Sequence, residues 1–384
     1  MSSSEYYEFF SEAKIISGVK ALENIAVELD GFDARRPLVL LCADDARAGA
    51  HTKLIDALRE SKLTIGALVD DVPGYASARL CERLGVLFRD RGCDSIIGIG
   101  GGSVIDVAKG TNIAVGAGDL LKFEGENRIE KRLKPLVVIP TIPLNGYECA
   151  GSATIDRRYF KSDYLYPDLI VIDPRTARGC CARYMAETAA VAMAHALEVS
   201  TSGDFNLMCD VYVNTAIQLL YENLATAIKR PGNKKARMAI ANASAMAGIA
   251  YSNSRPGLVQ ELAHALADAT NHSPGVLMGI ILPHELELKL SKKAGIRPDL
   301  LLALAGPDEY SATPERERAA KAVSLVKKMQ GAFKGVLPLS LRDLAVPEYL
   351  LEQAARKIAD SSMGFNLKEC MTILRRAWDG APAQ

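Results

Sequence analysis

Residues 94–109 read DSIIGIGGGSVIDVAK, and no other stretch limits the fold so tightly. Ile96, Ile97 and Ile99 form a short apolar run, the pattern of a strand buried on both faces. The run ends in Gly100, Gly101 and Gly102, and a segment of helical period over 104–115 comes immediately after. A buried strand that turns straight into a helix predicts a parallel sheet, because parallel neighbours need a crossover between them. The surrounding chain alternates in the same way. Apolar runs at 37–44, 64–70, 134–143 and 167–174 predict strands, and helical periodicity at 50–60 and 76–92 predicts the helices between them. Beyond about residue 178 the strand signals vanish. Ala-, Leu- and Met-rich segments at 185–200, 207–228, 234–251, 257–269, 276–290, 313–332 and 348–358 predict helices. Residues 306–318, GPDEYSATPERER, read as a solvated loop.

The expected fold class is therefore an α/β N-terminal domain with a parallel, Rossmann-like sheet over 1–178, followed by an all-α C-terminal domain over 179–384. Charge excludes one class of partner: Lys+Arg and Asp+Glu both number 46, and no basic run exists to track phosphates, so nucleic acid is not expected. A small-molecule substrate, neutral or weakly charged, fits better. The eight cysteines are irregularly spaced with no CxxC pair, which predicts reduced core thiols. The opening MSSSEYYEFF lacks the basic and apolar regions of a secretory signal. No apolar run nears the roughly 20 residues that span a bilayer, so a cytoplasmic protein without a membrane partner is expected.

The glycine turn suits a diphosphate. Glycines allow positive φ and close approach of a phosphate, and the helix start offers free N–H groups. The order is not GxGxxG, so the usual dinucleotide fingerprint does not apply as written. Ser103 and Asp106 admit two roles: members of the phosphate turn, or N-cap and capping-box partner of the helix. Asp44 ends the 37–44 strand, where a carboxylate can bind ribose hydroxyls and repel a 2′-phosphate, favouring NAD. Arg47 close by leaves NADP open.

GGGSVIDVAK resembles the GGGSxxDxAK segment of the iron-containing (group III) alcohol dehydrogenase family, within the dehydroquinate synthase-like fold. Other segments appear in the family's order. VIPTIPLNGYE (138–148) is similar to PTTAGTGSE, and FKSDYLYPDLIVIDP (160–174) to the Lys…PDxxxxDP stretch. AETAAVAMAHALE (186–198) is similar to AxTGxDAxxHAxE, GLVQELAHALA (257–267) to GLxHxxAHxLG, and SPGVLMGIILPH (273–284) to PHGxxNAxxLPH. The resemblance implies a dinucleotide domain followed by a helical domain, and an enzyme that works on an alcohol/carbonyl pair with NAD(P)(H). It implies that Gly100, Gly101, Gly102 and Ser103 hold the diphosphate and that Asp44 meets the adenosine ribose. It places Thr141 and Leu144 along the cofactor and Lys161 near the nicotinamide ribose. It also implies a homodimer or larger homo-oligomer.

In the family one Asp and three His hold a metal. Those positions fall on Val191, His195, Gln260 and Pro274, so only His195 retains the family's ligand type. Valine and proline side chains offer no lone pair, and a catalytic metal wants about three strong protein ligands. The expectation is a degenerate site without metal. His264, matching a further family histidine, and His195 are then the candidate general acids, a role that imidazole suits. Tyr147 and Cys149 are expected to shape the substrate pocket. Arg157, Arg158 and Lys161 hint at an anionic substrate group, or are simply solvated charge. The preferred substrate would be an activated aldehyde or oxo compound. Two alternatives stand beside this reading. One is a redox-silent nucleotide-binding or partner subunit; the other is a metal-dependent dehydrogenase with a site rebuilt from His195, His264 and His272. A lyase fits least. His284 is expected to be structural and His51 a surface residue.

Overall fold

A computed structural model describes residues 6–142, 146–176, 181–203, 206–293 and 295–380. The chain forms two compact units, one over Ser11–Cys180 and one over Cys181–Gln384 that also takes in the stretch ending at Phe10.

The first unit is built on strands β1 (Lys14–Ser17), β2 (Pro37–Leu41), β3 (Ala67–Val69), β4 (Ser95–Gly100), β5 (Gly125–Glu126), β6 (Leu136–Pro140), β7 (Ser152–Ile155), β8 (Arg158–Lys161) and β9 (Leu169–Ile172). Six of them make a wholly parallel sheet in the order β1-β9-β6-β4-β2-β3. Helices α1 (Ile25–Asp30), α2 (Ala43–Arg47), α3 (Ala50–Leu58), α4 (Ala78–Asp90) and α5 (Gly102–Gly116) connect them. The alternation of side chains along each strand explains the unbroken apolar runs. Leu38, Leu40, Ile96, Leu136 and Val138 share one core with Phe88 of α4 and Ile105 of α5. Val39, Leu41, Ile97, Ile139 and Val171 share the other with Ile25 of α1 and Leu54 of α3. Both faces are covered, so no polar face is needed.

The remaining strands form a small sheet in the order β5-β8-β7 that the sequence did not announce. Asp156 (φ 51) and Arg157 (φ 61) turn the β7–β8 hairpin, both left-handed as a two-residue primed turn requires. α5 is fastened to the β7 region from its own motif. Lys109, fully buried, donates to the carbonyls of Ala150 (2.6 Å) and Ser152 (2.7 Å). Asp106 accepts from the Tyr147 hydroxyl (2.7 Å) and the Thr154 N–H (2.9 Å).

The second unit is helical: α6 (Ala182–Ser200), α7 (Leu207–Lys229), α8 (Lys234–Ser252), α9 (Leu258–Thr270), α10 (Pro274–Ser291), α11 (Leu300–Ala312), α12 (Glu315–Gln330), α13 (Tyr349–Ala359) and α14 (Leu367–Asp379). The expected pairing of an α/β sheet domain with an all-α domain is what the chain adopts. α6 is buried over most of its length, with alanines at 186, 189, 190, 192, 194 and 196 that let neighbouring helices approach closely. The expected loop at 306–318 is overturned. Gly306 (φ 79) breaks the backbone, but Pro307 starts a new helical turn that runs to Ala312, and α12 begins at Glu315. Proline suits a first helical turn, and the polar residues lie on exposed helix surface. The stretch ending at Phe10 is tied to this unit by the paired hydrogen bonds between the Phe10 backbone and Asn253 (2.6 and 2.8 Å) and by stacking of Phe9 on Tyr212.

His284 of α10 is buried, with its Nδ1 3.9 Å from Glu287. Burial pushes its pKa down to about 4, against the pull of Glu287. The folded chain then binds fewer protons than the unfolded chain between pH 4 and 6.5. The stability contributed is present above pH 6.5 and is lost as pH falls towards 4. Lowering the pH from 7 to 5 should cost about 2 kcal/mol through this side chain. Urea denaturation of His284→Leu at the two pH values should show a smaller difference than the parent protein.

Candidate cofactor turn and active-site helices

Three loops leave the carboxyl ends of the adjacent parallel strands β2, β4 and β6, the place where open α/β sheets take ligands. At β4, Gly100 adopts φ 155, and a Cβ there would lie 2.8 Å from Val104 and 3.1 Å from Asp45. Gly101 is the N-cap of α5, with extended backbone, and the helix begins at Gly102. Ser103 therefore sits inside the first turn and is not the N-cap, and the capping box with Asp106 does not form. Asp106 instead holds Tyr147 and Thr154, and burial pushes its pKa up to about 6 against those bonds and Lys109. The N-cap has no side chain to occupy the helix start, which leaves that position to a ligand.

Asp44 and Asp45 separate. Asp44 is solvent-exposed on α2 and pairs with Arg47. Asp45 turns inward: it accepts from the Cys42 thiol (3.1 Å), bonds Thr141, and lies against Gly100. Burial raises its pKa, opposed by those two hydrogen bonds. The carboxylate set against the glycine turn was thus missed by sequence reasoning, although its place three residues beyond the N-cap Cys42, where a helix favours an acid, was a usable signal. Thr141 is buried beside the turn, its N–H directed at the Gly100 carbonyl (3.4 Å). Leu144 lies outside the described residues.

The Tyr147 ring lies beside Gly102 and under the Lys109 ammonium, 5.2 Å from centroid to Nζ. Cys149 is buried, and burial drives its thiol pKa well up. The basic hint also changes. Arg158 pairs with Glu124 (2.5 Å) and Lys161 faces Glu126 (3.6 Å), while Arg157 is a turn residue. The two carboxylates reduce the case for an anion there.

In the helical unit the four positions that the resemblance assigns to metal ligands lie on α6, α9 and α10. His195 Nε2 lies 2.6 Å from Gln260 Oε1, so α6 and α9 are joined by a hydrogen bond. Val191, one turn before His195, is buried, and its Cγ2 would lie 3.0 Å from a Cβ on Gly275, the residue after Pro274. Pro274 opens α10 at its first helical position. His195 and Gln260 engage each other, and Val191 makes an apolar contact at the start of α10. This donor set does not fit a catalytic divalent metal, which takes nitrogen, sulfur or oxygen ligands. Among the described residues no three of His, Cys, Asp and Glu come together to hold a metal ion, so the rebuilt site of His195, His264 and His272 is not formed. His272 is half-buried, its N–H directed at Thr270 Oγ1 (3.4 Å).

Two residues not singled out by sequence brace this arrangement. Tyr251 of α8 stacks on His195, with ring centroids 4.1 Å apart and planes at 15°, and its hydroxyl accepts the Gly257 N–H (3.0 Å). Glu198, one turn after His195, is buried and accepts the N–H of Val259 (2.5 Å) and Gln260 (3.3 Å). Burial, then Glu285, push its pKa up to about 8, against Lys289 and those N–H groups. His264 lies one turn beyond Gln260 on the same face of α9 and is open to solvent. The protein packed round its ring lowers its pKa, against the pull of Asp268.

Two family models cover the chain: "Iron-containing alcohol dehydrogenase" over residues 12–174, and "Fe-containing alcohol dehydrogenase family, C-terminal" over 185–372. Among curated proteins, a 1,3-propanediol dehydrogenase of Klebsiella pneumoniae is 29% identical over 345 residues, covering 86% of this chain and 87% of its own. An NAD-dependent methanol dehydrogenase of Bacillus methanolicus is 26% identical over 292 residues, covering 74% and 76%. Among solved structures, a 1,3-propanediol oxidoreductase superposes with a TM-score of 0.87 at 25% identity, over 97% of this chain and all of that one. With both family models matched in order and the fold shared, the chain belongs to the iron-containing alcohol dehydrogenase family and is an oxidoreductase of the alcohol dehydrogenase type.

Proposed function

We propose that this protein interconverts an alcohol and a carbonyl compound with NAD(H) and without a catalytic metal. The observation that carries the reading is the 2.6 Å hydrogen bond between His195 and Gln260, with Val191 and Pro274 at the other two positions. A metal in this family's place would polarise the carbonyl oxygen as a Lewis acid. Val191 and Pro274 offer such an ion nothing, and His195 and Gln260 engage each other.

The remaining chemistry needs a hydride donor and a proton donor. Reduced nicotinamide, its diphosphate held at Gly100–Ser103, would supply the hydride for the carbonyl carbon, and an imidazolium of this chain would give its proton to the carbonyl oxygen as the C=O π pair moves there. NAD⁺ and the alcohol are the products. His264 is the candidate proton donor because it is open to solvent, whereas His195 is buried under Tyr251 and bonded to Gln260. A single imidazolium activates a carbonyl less than a divalent cation does, so the favoured substrates are electron-poor: oxo acids and conjugated or activated aldehydes. For the cofactor, Gly100, Gly101, Gly102 and Ser103 are the proposed diphosphate turn and exposed Asp44 the proposed ribose partner. The NAD-dependent relative supports NAD over NADP.

His264→Ala should lower kcat on the order of 100-fold with NADH affinity unchanged. Equal losses in both would remove His264 from the chemistry. Its lowered pKa makes the protonated form the scarcer one at neutral pH, so carbonyl reduction should quicken as pH falls, with a midpoint below 6.5. The His264→Ala profile should be flat across that range.

Metal analysis by mass spectrometry, on protein grown with iron and zinc and never exposed to chelator, should find far less than one ion per chain. Adding chelator should leave the reduction of activated carbonyls unchanged. Stoichiometric metal that restores turnover would overturn the reading. NADH binding with no turnover on any activated carbonyl would favour the redox-silent subunit.

A further inference from the structure

We infer that Glu198 is a positioning residue: it caps α9 from the neighbouring helix α6 and thereby sets Gln260 and His264 in place against His195. α9 starts at Leu258 after an N-cap, Gly257, that has no side chain. The N–H groups an N-cap side chain ordinarily satisfies are those of the second and third helical residues, here Val259 and Gln260. Both are directed at the same oxygen, Glu198 Oε1, at 2.5 and 3.3 Å. The space for this comes from Gly257, where a Cβ would fall 2.1 Å from the Glu198 carboxyl carbon. The glycine has an ordinary φ of −91°, so it is required for room and not for backbone freedom.

The cap acts at the one point where it controls the site. Gln260, whose N–H is capped, is the residue whose Oε1 meets His195 Nε2, and His264 lies one turn later on the same rigid helix. Glu198 and His195 lie one turn apart on α6, so a single stretch of helix holds α9 by its backbone and by a side chain. Tyr251 closes the arrangement by stacking on His195 and accepting the Gly257 N–H. Lys289, the nearby cation, is engaged elsewhere, by Glu285 (2.6 Å) and Thr201 (2.7 Å), which leaves the start of α9 as the hydrogen-bonded partner of Glu198. Glu198 is buried and does not meet substrate. A helix displaced by an ångström at its start carries its functional side chains with it, and that misplacement costs on the order of 100-fold in turnover.

The consequence for turnover rests on the proposed roles of His264 and His195, but the geometry does not, so the test has two arms. The full chain is labelled with ¹⁵N-histidine, and the His195 ring resonances are tracked by proton–nitrogen NMR in the parent and in Gln260→Ala, which defines the signature of the broken bond. Glu198→Ala, and Glu198→Asp, which shortens the carboxylate by one methylene, should move His195 to that signature while His284 stays in place. Glu198→Gln keeps an oxygen for both N–H groups and should retain the parent spectrum. In kinetics, Ala and Asp should lower kcat with KM for NADH unchanged, and Gln should restore kcat. Where Ala does not fold, Asp and Gln decide. His195 resonances that ignore Glu198→Asp, or that move in Glu198→Gln as far as in Gln260→Ala, would overturn the inference. If no form of the protein reduces a carbonyl, the catalytic reading fails, and the NMR arm still decides whether Glu198 positions α9.

Discussion

A polar group removed from water must find a partner, and the helical unit is organised round one solution to that requirement. His195 lies inside α6, a helix of mostly alanine that is buried on nearly every side. Its ring edge cannot be left without a partner there, since an unmet hydrogen-bonding group in the interior costs about 1–3 kcal/mol. The partner is Gln260, supplied by α9, and the stacking face is covered by Tyr251 from α8. Three helices are thus fixed by one imidazole. The same requirement explains Val191. An acid at that position, one turn from His195, would sit desolvated with no cation beside it, whereas valine packs against the start of α10 at Gly275.

The α/β unit obeys the same constraint with different means. Lys109 lies wholly inside, and burial pushes its pKa down to about 8, with Asp106 the leading influence that opposes this. Its ammonium is kept by the backbone carbonyls of Ala150, just before β7, and Ser152, at its start, and Asp106 takes an N–H from β7 itself. The acid and the base of the GGGSVIDVAK motif therefore anchor α5 from its far side, which leaves the glycine end of the helix without side-chain obligations. The proposed diphosphate turn would benefit from such a division, with rigidity supplied by residues 106 and 109 and approach by residues 100–102. Tyr147, which the loop's place in sequence offers as a pocket residue, is drawn into this anchoring through its hydroxyl on Asp106.

Much of this is legible in the sequence, and the boundary between legible and hidden is physical. Runs such as PLVLL and SIIGIG declare strands covered on both faces, and the Gly100–Gly102 turn declares the helix at the end of β4. The small sheet of β5, β7 and β8 is hidden because its strands are two to four residues long and carry charges such as Arg158 and Lys161. α11 is masked by Gly306 and Pro307, which signal a loop but permit a kink. α14 falls outside the helices expected from sequence despite its amphipathic LKECMTILRRAWD. At the site, periodicity places Val191 and His195 on one face of a helix, but only the resemblance to the family associates that face with metal ligands. The choice between Asp44 and Asp45 turns on where a strand ends and a helix begins, by a single residue. Glu198 closes the segment similar to AxTGxDAxxHAxE, but its role is hidden for a different reason. Its partners are backbone N–H groups 61 and 62 residues away, and backbone leaves no mark in composition or spacing.

The pattern of replacement at the four ligand positions bears on whether this site is in use. Losing one ligand of a metal centre leaves the others as buried donors without their cation, each with a desolvation cost and none with a partner. Such a remnant is a site in decay. Here the positions resolve into two complete contacts: a hydrogen bond that satisfies the retained histidine, and a valine packed on the start of a helix whose proline fits its first turn. The braces at Glu198 and Tyr251 converge on the same few residues. Held from α6 and α8, α9 presents His264 to solvent at a defined place beyond Gln260. A fixed donor at that place is what the proposed proton transfer to a carbonyl oxygen requires.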